Sequence, residues 1–204
     1  MIKNLKNKLS VAYLQQIVES KGYKFFTKDD WNVNIIGVRG PVKEANKFDD
    51  TMLIAYKDRG QWFLKEWKIT TDAGTYWLEN PMNSKGTAIL VPGQYRSVYK
   101  IDRHLGKYDA LCQRGGEVSV YRDNNKDKIL DMNDATVDKG YFGINIHRSN
   151  PYSESHLVNK WSAGCQVFQA VSDFNEFMLI CDRAKGIWGN SCTYTLLEEK
   201  DLNL

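Results

Sequence analysis

Two short stretches decide how this chain is read: Phe142-Gly143-Ile144-Asn145-Ile146-His147 and Trp161-Ser162-Ala163-Gly164-Cys165-Gln166-Val167-Phe168. The first reads as a strand that ends on a histidine. The second is a small, glycine-bearing bend that leads straight into an apolar segment. Outward from them, similar segments rich in Val, Ile, Tyr, Phe, Trp and Thr recur at 32–38, 51–57, 62–70, 87–91 and 117–121, bounded by Gly, Pro, Asn and Asp, with a last one at 193–197. The body is therefore expected to be mainly β. Leu5, Leu9, Ala12, Tyr13, Gln16 and Ile17 recur at helical spacing and Gly22 offers a stop, which predicts an amphipathic helix over 3–21. Ser172 and Asp173 are placed to cap a second helix running through Phe174, Phe177, Met178 and Ile180 to about residue 184.

The 204 residues suit one sizeable domain, and neither an internal repeat nor a low-complexity linker divides them. With 42% apolar residues and 15 glycines the chain can build a core, which excludes disorder, collagen and coiled coil. A net charge of +3 from 28 basic and 25 acidic side chains is too balanced for a nucleic-acid partner. The longest apolar runs, Met52 to Tyr56 and Ala88 to Val91, are far too short to cross a bilayer. The opening Met1-Ile2-Lys3-Asn4-Leu5-Lys6 interleaves lysine with apolar residues and does not read as a secretory leader, so synthesis in a bacterial cytoplasm without a signal peptide is expected. Cys112, Cys165, Cys181 and Cys192 form no C-x-x-C pair, which fits neither a zinc clip nor a disulfide framework; reduced thiols are expected.

Cys165 stands where a nucleophile is presented. A thiol needs a base to become thiolate near neutral pH, and a neighbouring glycine lets a carbonyl approach backbone N–H groups. His147 is the candidate base. A lone cysteine is otherwise a small buried hydrophobe, and that reading stands for Cys112, Cys181 and Cys192. His104 reads as a structural or substrate-lining side chain, and His156 as part of a solvated loop at 150–160 with a lid as the alternative.

The spacing of His147, fourteen further residues and then Ser162-Ala163-Gly164-Cys165 resembles the L,D-transpeptidase (YkuD-like) family, whose pattern is His, 14 to 17 residues and Ser/Thr-His-Gly-Cys. Upstream, Leu90-Val91-Pro92-Gly93-Gln94-Tyr95 looks like that family's Thr-Pro-x-Gly-x-Phe/Tyr segment. The resemblance covers about residues 50–197. It implies a β-sandwich-like catalytic body over 46–204; residues 1–45 have no counterpart in the family and read as a helix and strand extension, with one or two peripheral helices in the chain. It further implies action on peptidoglycan stem peptides through a thioester on Cys165, with His147 as general base and the carbonyl of Arg148 orienting the imidazole. The N–H groups of Gly164 and Cys165 would form the oxyanion hole, with Ser162, Ser149, Tyr95, His104 and Gln166 near the substrate. Ala163 stands where the family has His, and Gln166-Val167 where it has an aliphatic residue and then Arg or Asn, so altered specificity is expected. Resolution of the thioester by water gives a hydrolase, as in a phage lysis enzyme or an injected effector acting in the periplasm or wall. Resolution by an amine gives a transpeptidase. A silent wall-binding module is the further alternative. No cofactor is expected, and a monomer is.

Asp123, Asn125, Asp127 and Asp131 form a second constellation, at relative positions 1, 3, 5 and 9 of a loop that continues to Asp134. Oxygen ligands at that spacing suit calcium. Lys128 replaces the glycine expected at position 6 and Asp134 the glutamate at position 12, and Asn and Asp also simply favour hairpin turns.

Overall fold

The β-branched and aromatic segments make eleven strands among the described residues, 9–202, of the computed structural model. They are β1 (Asn34–Arg39), β2 (Asp50–Asp58), β3 (Gln61–Thr70), β4 (Thr87–Leu90), β5 (Gly93–His104), β6 (Tyr108–Gln113), β7 (Val118–Asp123), β8 (Asp138–Gly140), β9 (Ile146–Arg148), β10 (Gln166–Phe168) and β11 (Cys192–Glu198). The helices are α1 (Val11–Ser20), α2 (Thr75–Glu79) and α3 (Val171–Trp188). Among the described residues no helix is long and apolar enough to cross a membrane.

Eight strands close into a barrel in the order β1-β11-β5-β6-β9-β10-β3-β2, and β4, β7 and β8 form a separate three-stranded sheet. The fold is mainly β, as the composition of the segments implies. The expected stacking of two open sheets is not what closes the core. α3 carries the chain from β10 to β11, which enters parallel to β1 and antiparallel to β5, while β3 pairs with β10. Each barrel strand thus has a neighbour on both sides, and pairing removes the free edges that a sandwich would keep. β1 sits inside this ring between β2 and β11, so a boundary after residue 45 cuts through the barrel instead of separating an extension from a body.

Local chemistry explains where the elements differ from the sequence expectations. The stretch 142–147 enters the ladder only from Ile146, because Gly143 takes φ +71° and the N–H groups of Phe142 and Ile144 both donate to Gln113 Oε1 at 3.1 Å. Ser10 caps α1 by accepting the Tyr13 N–H at 3.1 Å; the part of the expected helix before residue 9 lies outside the described residues. α3 begins two residues earlier than its expected caps, with Ala170 at the N-cap and Ser172 and Asp173 inside the first turn.

The barrel interior is filled by Ile35, Met52, Ile54, Tyr99, Leu111, Ile146, Phe168, Tyr194 and Leu196. α3 closes one opening with Phe174, Phe177 and Ile180; Phe177 lies 5.0 Å from Phe168 and 5.9 Å from Trp67 between ring centroids. α1 lays Leu14, Ile17 and Val18 on the outer face of β1, against Ile36, Val38 and Leu53. Both faces of β1 are therefore covered, and all six of its residues are buried.

One buried ionic cluster ties the barrel to the β4 sheet. Arg39 pairs with Asp72 at 3.0 Å and donates to Thr71 and to the Leu90 carbonyl, while Asp50 accepts the N–H and hydroxyl of Thr71 and the N–H of Gly40. Burial, aided by the neighbouring Asp72, pushes the Asp50 carboxyl up to about 7. The folded state therefore holds a proton that the unfolded chain has already lost, and this contribution to stability falls as pH rises through 7. Between pH 8 and pH 6.5 the Asp50 contribution is expected to grow by roughly 1 kcal/mol at most, part of which is offset by histidines such as His147 that take up a proton only in the unfolded chain. The difference in Tm between wild type and Asp50→Asn at the two pH values isolates the Asp50 part; a difference that does not change with pH would mean that Asp50 stays ionised across the range.

Candidate active site

β9 and β10 lie side by side and parallel, with Ile146 opposite Gln166 and His147 opposite Val167. One step back along both chains sets Cys165 beside Asn145. Both residues stand just before their strands, so the pairing brings the segment of Cys165 alongside that of Asn145 and His147, with His147 opposite Val167. The Asn145 N–H donates to the Cys165 sulfur at 3.4 Å, and the thiol donates to the Gly143 carbonyl at 3.4 Å. Cys165 is half-buried as a residue, whereas Cys112, Cys181 and Cys192 are buried; all four are free thiols.

His147 Nδ1 donates to the Arg148 carbonyl at 2.8 Å, which leaves Nε2 as the unprotonated nitrogen of the neutral ring. The Tyr108 hydroxyl lies 3.4 Å from the same Nδ1 and 3.3 Å from the same carbonyl, and the Arg148 guanidinium covers the Tyr108 ring at 4.0 Å. His104, at the end of β5, stacks on His147 with centroids 4.1 Å apart and planes 20° from parallel. Asn145 settles the state of that second ring. Its Oδ1 accepts the Gln113 N–H at 2.9 Å, so its Nδ2 donates to His104 Nδ1 at 3.1 Å and the His104 proton sits on Nε2.

Burial is the main reason that His147 is pushed down to about 3, with the His104 ring and the Arg148 charge opposing protonation and the Arg148 carbonyl favouring it. Burial likewise pushes the Cys165 thiol up to about 11, against a hydrogen bond from Asn145 that lowers it. At neutral pH the pair is a neutral imidazole beside a neutral thiol. Among the described residues no hydrogen bond joins the sulfur to the imidazole; the thiol is turned to the Gly143 carbonyl.

The loop before Cys165 is held by a short relay. The Gly164 N–H donates to Ser162 Oγ at 3.1 Å, and the Ser162 hydroxyl donates to the Cys165 carbonyl at 2.8 Å. Both consequences correct the sequence reading. Ser162, expected to shape the loop and to bond substrate, is fully buried and spends its hydroxyl on the loop. The Gly164 N–H is engaged and offers nothing to an oxyanion, whereas the Cys165 N–H has no acceptor among the described residues. Gly164 itself is required by shape: φ is +122°, and a Cβ there would sit 2.4 Å from the Ala88 carbonyl oxygen. Gly164→Ala is expected to cost roughly 1–3 kcal/mol of stability and to displace the cysteine, lowering turnover more than it lowers Tm. Circular-dichroism melting together with a turnover assay checks this; unchanged turnover would show that the strained glycine does not position the thiol.

Three further residues expected near the substrate are structural. Ser149 is buried and donates to the Gln169 carbonyl at 2.9 Å. Gln166 is buried, accepts the Tyr194 hydroxyl at 2.9 Å and donates to the Thr71 and Gly164 carbonyls. The Tyr95 hydroxyl binds the Val91 and Ser119 carbonyls, joining β5 to the β4 sheet. His156 is exposed, but the loop around it is pinned: Ser155 exchanges bonds with Gln169, and Val158 packs on Phe48 and Val167. Asp123, Asn125, Asp127 and Asp131 lie together at the end of β7, apart from the thiol and imidazole.

Two depressions lie in the neighbourhood, and neither is lined by Cys165 or His147. A groove of about 630 Å³ is lined by Ile101, Tyr108, Arg148, Phe174, Met178 and Leu179, and so includes the residue after His147. A second, of about 270 Å³, is lined by Trp77, Ala88, Arg122, Phe142, Ile144 and Ala163, two residues before Cys165. Asn145 and Tyr108 were not singled out from sequence. Asn145 shares the face of His147 two residues away, which spacing alone reveals; Tyr108 enters through barrel pairing, which it does not. No family model, curated protein or solved structure matches the chain.

Proposed function

We propose that this chain is a cysteine-dependent enzyme of the L,D-transpeptidase type that cleaves peptide bonds in peptidoglycan stem peptides, with bacterial cell wall as its partner. The observation that supports the reading is the parallel pairing of β9 with β10, which brings the segments of His147 and Cys165 side by side, with the imidazole held through Nδ1 by the Arg148 carbonyl. In this reading His147 Nε2 takes the thiol proton as the sulfur attacks the substrate carbonyl, and the Cys165 N–H faces the developing oxyanion. The imidazolium then gives its proton to the leaving amine, and a thioester remains on Cys165. Water, deprotonated by the same imidazole, releases the acid. Hydrolysis is placed ahead of amine transfer, and resolution of the same thioester by an amine would make the enzyme a transpeptidase.

Ala163 bears on specificity. It lines the smaller depression where the family pattern carries histidine, so the missing imidazole leaves room for a substrate group between Ala163, Ile144 and Trp77. Incubating purified sacculi with the protein and analysing products by mass spectrometry tests the proposal. Shortened stem peptides or released muropeptides are expected. New cross-links would convert the reading to a transpeptidase, and sedimentation with sacculi without any turnover would replace it by a binding module.

A further inference from the structure

Away from the thiol and imidazole, the turn that leaves β7 gathers acidic oxygens without a cation to match them. Asn125 Nδ2 donates to Asp127 Oδ2 at 2.9 Å and to Asp131 Oδ2 at 2.7 Å, so two separate carboxylates close on one amide nitrogen. Asp123, at the end of β7, is 1% exposed. Its Oδ2 accepts the Asp131 N–H at 3.0 Å, which sets the carboxylate against the turn, and its buried Oδ1 has no hydrogen-bond partner. Among the described residues none of these three carboxylates forms an ion pair with Lys or Arg.

A buried carboxylate oxygen without a donor is costly, and the cost is normally removed by a proton, a donor or a metal. The backbone leaves one more oxygen free. The turn is stitched to the preceding segment by Ala45 N–H to the Lys128 carbonyl and Leu130 N–H to the Lys43 carbonyl, whereas the Ile129 carbonyl accepts no bond among the described residues. Counted from Asp123, these oxygens fall at relative positions 1, 3, 5, 7 and 9.

We propose that the turn from Asp123 to Asp131 is a calcium-class divalent cation site, with side-chain oxygens of Asp123, Asn125, Asp127 and Asp131 as ligands and the Ile129 carbonyl completing the set. Among the described residues no three acidic, imidazole or thiol groups already converge as ligands. The Asn125 amide nitrogen stands where the two exposed carboxylates meet, while its Oδ1 accepts the Asp127 N–H at 3.1 Å; turning the amide to bring that oxygen onto a cation gives up this bond in exchange for ligation and lets the carboxylates close on the ion. Oxygen donors alone, with neither His nor Cys, favour a hard ion, and an irregular turn favours calcium over the strictly octahedral magnesium. Without a bidentate glutamate the site belongs to the weaker range, about 10⁻⁴–10⁻³ M.

The test is thermal unfolding of EDTA-treated full-length protein in 5 mM calcium chloride, in 5 mM magnesium chloride, and in sodium chloride of matched ionic strength. Calcium is expected to raise Tm by about 3–8 °C over sodium chloride, and magnesium by much less. Asp127→Ala, at an exposed position, is expected to fold normally and to lose the calcium shift. As a second variant Asp131→Asn should weaken it at least threefold in apparent affinity by isothermal titration. Absence of a calcium shift in the wild type, an equal shift from magnesium, or a shift retained in Asp127→Ala would each overturn the proposal.

Discussion

Cys165→Ala is expected to lower release of peptides from sacculi by at least about a thousandfold while leaving the fold intact. Removing the nucleophile of a thiol–imidazole pair removes the covalent route itself, and losses of that order or larger accompany such deletions. The fold should tolerate the change. The thiol makes only two weak contacts, at 3.4 Å, with Asn145 and Gly143, and the loop around it is held by Gly164 and Ser162 through bonds that do not use the sulfur. Tm within a few degrees of wild type, together with lost turnover, is the expected pattern. Wild-type turnover in the variant would place the chemistry elsewhere.

His147→Gln is expected to lower turnover by about 10²- to 10⁴-fold, the usual contribution of a positioned general base. Its second readout depends on the resting charges. With the thiol raised to about 11 and the imidazole lowered to about 3, proton exchange between them is unfavourable at rest. Only about 10⁻⁴ of Cys165 is thiolate at pH 7, so alkylation by iodoacetamide should be slow and should rise about tenfold per pH unit toward pH 10. Since no stored imidazolium supports the thiolate, alkylation of His147→Gln at pH 7 should stay within about threefold of wild type. A resting ion pair would behave in the opposite way: alkylation would be fast at pH 6 and would collapse in the variant. The same low imidazole value fixes a stability limit. The unfolded histidine takes a proton below about pH 6.5 that the folded one refuses, so His147 contributes stability at neutral pH that is lost as pH falls toward 3.

How much of this was readable before folding depends on the range of each interaction. β2 and β3 were legible because β-branched and aromatic residues crowd both segments and their pairing is local. β5 was not. Arg96, Ser97, Lys100, Asp102 and Arg103 dilute its apolar pattern, and only pairing with β6 and β11 identifies it as one long strand. Barrel closure was equally hidden, since the parallel contact of β1 with β11 joins positions such as Ile35 and Tyr194 that no local pattern connects. At the site, the interval between His147 and Cys165 predicted candidates for one face. The stack of His104 on His147 could not be read, because it arises from β6 pairing with β5 on one side and β9 on the other. Ser149 and Gln166, and Ser162 in its expected substrate contact, misled for one shared reason. A polar residue beside a nucleophile looks like a substrate contact, yet each is buried and satisfies backbone or side-chain groups that the tight loop and short strands leave open.

The most direct measurement is the mass of the protein quenched in acid during turnover of a stem-peptide substrate, followed by peptide mapping. The expected result is an acyl adduct on the peptide containing Cys165, absent from Cys165→Ala. Substrate turnover with no adduct on Cys165, or with an adduct on another residue, would contradict the account.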